Sequence, residues 1–240
     1  MNRKCFRLLA LLLFTLGLQA SLRAAEAPSF YDPVEKQIEG WTIKVDPLLL
    51  EKANREVGEK AFAALANHLQ RVKFILPADK VKELQKLRIW IELDNRKLGN
   101  MQYHPGKGWL KANGHDTRLV KHVHIPRARQ LYARGTWAKH PYVILHELAH
   151  SYHDQVLSFD QKEIVAAFND VKQKGIYGKV LDHAGRQVRH YSLSNHKEYF
   201  AESTEAYLGV NDFYPFVRAE LKEHDPVMFS LQEKIWGPVR

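Results

Sequence analysis

A chain of 240 residues with 45% hydrophobic content suits one domain of moderate size with a core of its own. The formal charge of +9 comes with no dense Lys/Arg block interleaved with aromatics, so nucleic-acid binding is not expected. With a single cysteine, Cys5, neither a disulfide framework nor thiolate ligation of a metal is available, which leaves histidine and carboxylate as the possible ligands.

The first residues, "MNRKCFRLLALLLFTLGLQASLRAAEA", combine a basic start (Arg3, Lys4, Arg7), an apolar stretch over residues 8–18 and an alanine-rich run over 20–27. This three-part pattern predicts a secretory signal peptide over residues 1–25, a mature start between residues 21 and 28, and a secreted or periplasmic protein. The apolar stretch is too short to anchor a mature chain across a bilayer, so no stable membrane anchor is expected. Cleavage removes Arg3, Lys4, Arg7 and Arg23 and leaves a mature domain, residues 26–240, of charge about +5.

"WTIKV" alternates as a short strand, and Asp46-Pro47 then offers an N-cap with proline at the first helical position. Leu49, Ala53, Val57, Ala61, Leu65, Leu69, Val72 and Ile75 follow at helical spacing and predict one long amphipathic helix. A short helix is expected over residues 77–86, then a buried strand at "LRIWIELD" and another at "KHVHIP". Between these strands "GNMQYHPGKGWLKANGHD" reads as an irregular loop or edge strand. Pro141 opens a helix running to Leu157, and a second apolar periodicity covers residues 161–174. "GKVLDHAGRQVRHYSL" reads as a hairpin turning at residues 183–186. A helix over residues 195–208 and a last one after Asp225-Pro226 complete an α+β order, mixed in the first half and mainly helical in the second.

The chemistry concentrates in "VILHELAHSYHDQ". His146 and His150 are one turn apart on a helix face, about 6 Å along the axis, so two imidazoles can converge on one zinc ion. Glu147 is rotated about 100° from His146 and reaches a water at the ion rather than the ion itself. A carboxylate so placed can act as the general base of a hydrolase. The flanking residues "PYVILHELAH" are apolar, and burying two histidines and a glutamate without shared purpose is costly. His153 lies seven residues from His146, about 10 Å along the axis, too far to be the third ligand, and is expected behind the site or at the surface. The metzincin motif is excluded, because it requires Gly where this chain has His153 and His where it has Val156.

The third ligand is therefore sought on another helix, and "SNHKEYFAESTEAYLG" offers Glu198 and Glu202, four apart on one face. One of them can bind the ion while the other accepts a hydrogen bond from a ligating histidine. Helical spacing does not choose between them. Asn195 and Glu198 also have the spacing of a capping pair.

"HELAH", "EYFAE" and Tyr191, seven residues before Glu198, resemble the lethal-factor-like zinc metallopeptidases, which include the Pro-Pro endopeptidases. The resemblance covers residues 101–236 and is closest over 143–209. It implies a zincin-like fold with a small sheet in an upper lobe, an active-site helix and a helical lower lobe. It further implies one Zn²⁺ per chain held by His146, His150 and Glu198, with Glu147 as general base. Tyr191 would donate to the oxyanion, Glu202 would stand behind the site, and the substrate would be a peptide or protein. "YHPGKGWLKANG" falls near the edge strand with which the family pairs its substrate, and "NDFYPFVRAELKEHDP" is expected to pack the lower lobe. The alternative function is a non-catalytic extracellular binding protein that keeps the fold. Glu147 discriminates, since a structural zinc site has no need of a base beside its ligands.

Overall fold

A computed structural model describes residues 30–239; the expected signal peptide and mature start lie outside them. Strands β1 (Val34–Ile38) and β2 (Trp41–Val45) form an antiparallel hairpin. Helices α1 (Arg55–Ile75) and α2 (Ala78–Leu84) then carry the chain to β3 (Arg88–Ile91), which runs parallel to β2. After β4 (Gln102–Tyr103) and α3 (Lys107–Ala112) comes β5 (His122–Ile125), parallel to β3 and antiparallel to β4. The sheet order is β1-β2-β3-β5-β4, so β4 forms one edge. Strands β3 and β5 are buried on both faces, as in Ile89, Trp90 and Ile91 of β3, which is why "LRIWIELD" carries no alternation.

The helical half follows as α4 (Arg134–Lys139), α5 (Val143–Tyr152) and α6 (Lys162–Lys174). A two-stranded hairpin, β6 (Val180–Leu181) and β7 (Gln187–Val188), leads to α7 (His196–Leu208), α8 (Arg218–His224) and α9 (Pro226–Trp236). The face Val57, Ala61, Leu65, Leu69 and Val72 of α1 joins Ile43, Ile89 and Val123 of the sheet and Ile144, Leu148, Phe200 and Trp236 of the helices in one continuous core. The result is an α+β molecule with a small mixed sheet on one side and helices on the other.

Three expectations shift. Asp46 does cap, accepting from the Leu48 amide at 2.9 Å, but the turn it starts is a short 3₁₀ segment, Pro47–Leu50. The long helix begins only at Arg55, because Leu49 plugs the core and its carbonyl rests against Gly58 of α1, where a Cβ would approach to 2.4 Å. The turn-rich segment holds both an edge strand and the helix α3. The helix expected from Pro141 starts at Val143 and widens into a π-helical turn over His153–Leu157. In the segment expected to pack the lower lobe, α8 buries Leu221.

Candidate metal centre

Every residue of α5 is buried, so its polar side chains must find partners inside the protein. The Nε2 atoms of His146 and His150 lie 3.0 Å apart. Glu198 Oε2, from α7, lies 3.3 Å from His146 Nε2 and 3.1 Å from His150 Nε2. Three ligand atoms at the corners of a tetrahedral zinc site are about 3.3 Å apart when the bonds are about 2.0–2.1 Å long. The triangle therefore has nearly the size that an ion requires.

The contacts behind His146 agree with this. His146 Nδ1 lies 2.7 Å from Glu205 Oε1, so a hydrogen on Nδ1 is bonded there and Nε2 is the atom that faces His150 and Glu198. Three such atoms converging on one point are held together by a cation, a metal ion or a proton. The residues present thus fit a divalent metal, and among the described residues His146, His150 and Glu198 form such a group.

Local sequence explains why Glu198 is free for this role. The Asn195 side chain caps α7, accepting from the amides of Lys197 and Glu198 at 2.9 and 3.1 Å. The capping task thus belongs to Asn195, and the Glu198 carboxylate turns to the histidines. Burial favours its neutral form, but the two histidines outweigh this and hold the group well below the usual carboxylate range.

Glu147 is 6% exposed and its carboxylate has no hydrogen-bond partner among the described residues. It lines a cleft of about 740 Å³ together with His146, His150, Glu198 and Tyr191. Tyr191 stands on a 3₁₀ turn, Tyr191–Ser194, rather than at the end of the hairpin. It is 49% exposed, and its phenol is raised by burial and then by the Glu198 charge, so it keeps its proton. His190 caps that turn, its Nδ1 accepting from the Ser192 amide at 3.0 Å. The edge strand also lines the cleft through Gln102 and Tyr103. Tyr103 donates to Asp154 Oδ2 at 2.5 Å, which ties β4 to the turn that follows α5.

Two expectations are corrected. Glu202 does not hold His146: its Oε1 is 4.0 Å from His146 Nδ1, and its Oε2 is buried without a partner. The hydrogen bond is made by Glu205 instead. Position i+7 returns to within about 20° of the Glu198 face, whereas i+4 is about 40° off, and the ring of His146 is inserted between Glu198 and Glu205. Burial opposes the charge on Glu205, but His140 and His146 overcome it and hold the carboxyl at about 2. Glu202, equally buried but without a bonded cation, is pushed well above the usual range. The second correction concerns His153, which is fully buried against Phe159, His196 and Phe200 with neither ring nitrogen bonded. Burial pushes it down to about 3, so it packs as a neutral aromatic ring.

His140, overlooked in the sequence, places Nε2 2.8 Å from Glu205 Oε1. Its position beside Pro141, just ahead of α5, carried no motif. Gly209 ends α7 where a Cβ would come within 2.5 Å of the Tyr142 ring, so the start of α5 and the end of α7 close on each other at a contact only glycine permits.

No protein-family model matches this chain, and no curated protein does. Among solved structures, the Pro-Pro endopeptidase from Paenibacillus alvei is similar at a TM-score of 0.42 and 22% identity, over 74% of this chain and 90% of that one.

Proposed function

We propose that this protein is an exported zinc-dependent peptidase, most simply an endopeptidase, with one zinc ion per chain. The observation that carries the reading is the convergence of His146 Nε2, His150 Nε2 and Glu198 Oε2 beside the buried, unbonded carboxylate of Glu147. His146, His150 and Glu198 would hold the ion. Zinc bound there supplies Lewis acidity, polarising a carbonyl and lowering the pKa of a water toward 7. Glu147 takes the proton of the attacking water and delivers it to the leaving amine. The Tyr191 hydroxyl, still protonated, donates a hydrogen bond to the carbonyl oxygen as it gains charge. Strand β4 is an edge that lines the cleft, so an extended peptide can pair with its backbone while the scissile bond lies over the site. Export rests on the leader pattern of residues 1–25.

The test is a peptide library incubated with the zinc-loaded mature chain and read by mass spectrometry, beside Glu147→Gln. Cleavage by the wild type, and none by a variant that keeps its zinc, is the expected result. Equal turnover by both proteins would overturn the mechanism.

A further inference from the structure

We infer that Glu205 and His140 are the positioning residues of this site, and that they, not Glu202, orient His146 for the metal. The inference rests on the metal reading above. His146 Nδ1 reaches Glu205 Oε1 at 2.7 Å, and His140 Nε2 lies 2.8 Å from each of the two carboxylate oxygens. The rings of His140 and His146 are 5.3 Å apart at 82°, so one edge faces the other across that carboxylate. Glu205 is fully buried, so the carboxylate that the two rings share is shielded from bulk solvent.

A carboxylate held by a single histidine can rotate about its last torsion and carry the ring with it. A second donor removes that freedom. His140 is itself tied down, its amide donating to Thr136 O at 2.7 Å at the end of α4. The next carbonyl, that of Pro141, accepts from the Arg71 guanidinium at 2.8 Å. Arg71 also lies over the Tyr142 ring at 3.8 Å. The anchor behind the site therefore runs from α1 through the α4–α5 junction to Glu205. Charge-assisted bonds in a dry environment are strong, and an anionic acceptor at Nδ1 makes Nε2 a better donor to a metal. Glu202, at 4.0 Å and without a bond to His146, can do neither.

The experiment compares Glu205→Gln, Glu202→Gln and His140→Gln with the wild type in the full mature chain. Zinc affinity is measured by competition with a chromogenic chelator, and the melting temperature of each metal-free protein is recorded alongside. Glu205→Gln should bind zinc roughly 10–100-fold more weakly. His140→Gln should lose a smaller factor, and Glu202→Gln less than about threefold. A role confined to packing would lower the metal-free melting temperature of Glu205→Gln and leave its zinc affinity unchanged; that result overturns the inference, as does a larger loss in Glu202→Gln.

A second readout needs no metal. In ¹⁵N-histidine NMR of the metal-free wild type, His146 should carry its proton on Nδ1, strongly deshielded by the carboxylate. That signal should survive Glu202→Gln and vanish in Glu205→Gln. Finding a proton on Nε2 and none on Nδ1 in the wild type overturns the inference even if no variant folds. An Nδ1 proton in a protein that takes up no zinc would instead sink the metal reading and leave the orientation of His146 standing.

Discussion

Among the described residues histidines cluster in the sheet and in the helical half, and only the second cluster forms groups that could hold a metal. In the sheet, His104 Nε2 donates to His124 Nδ1 at 3.1 Å, and His124 Nε2 donates to Glu92 Oε1 at 3.0 Å. His104 and His115 both stack on Trp109, with ring centroids 6.1 and 5.1 Å away. The Nε2 of His104 and both nitrogens of His124 are thus consumed within the chain, and burial and the neighbouring histidines keep His104 neutral, with a pKa of about 3. In the helical half, His146 spends one nitrogen on Glu205 and turns the other toward His150 and Glu198. The groups that could hold a metal among the described residues all include His146, and none draws on the sheet cluster. The number of histidines does not distinguish the two regions. The convergence of two ring nitrogens on one carboxylate oxygen does.

The largest effect that would sharpen this contrast is loss of metal. Glu198→Ala leaves two nitrogens to hold the ion and should lose most of its zinc on dialysis, whereas His124→Gln should retain one zinc per chain by atomic absorption. Zinc loss from the sheet variant alone would reverse the assignment of the two clusters.

Next in size is Tyr191→Phe, which should keep its zinc and lose roughly 10²–10³ in turnover, the usual effect of one oxyanion donor. Steady-state kinetics on a cleaved peptide decide it, and an unchanged kcat would reduce Tyr191 to a rim residue.

His124→Ala breaks the sheet chain in the middle and leaves both Glu92 and His104 without their partner. It should cost roughly 1–3 kcal/mol in urea unfolding while zinc content stays the same. A neutral result would mean that the chain of bonds adds nothing to the sheet.

The smallest expected effect is a pH dependence. Burial lowers His153 to about 3 from a usual value near 6.5, so the unfolded chain takes up a proton that the folded one refuses. Its contribution to stability is whole above pH 6.5 and declines as pH falls toward 3. His153→Met should therefore narrow the stability difference between pH 7 and pH 5 by on the order of 1 kcal/mol. An identical pH slope in wild type and variant would show that His153 takes up its proton in the folded state as readily as in the unfolded one.

Much of the fold could be read from periodicity. The face of α1, the strand at "WTIKV" and helix α6 follow from apolar spacing, because each packs one surface on the core, while "LRIWIELD" and "KHVHIP" stand out as buried strands. Short helix α2 and the β6–β7 hairpin were legible too, but β1 and α4 were not. Strand β1 exposes most of its residues, α4 buries none, and the two residues of β4 form a strand only because β5 lies beside them. An element that short has no period of its own to detect.

The candidate site divides along the same line. Within one helix the sequence by itself determined the geometry: a four-residue spacing brings His146 and His150 together, and the residue between turns Glu147 aside, because helix pitch is a local property. Asn195 was likewise legible as a cap. Which glutamate meets which histidine depends on the approach of α7 to α5, which a closed contact at Gly209 and Tyr142 helps to set and no local pattern encodes. Only the tertiary structure could therefore separate Glu198 at the ligand triangle, Glu205 behind His146 and Glu202 unbonded between them, since all three lie within about 40° of one face and differ mainly in height along the helix.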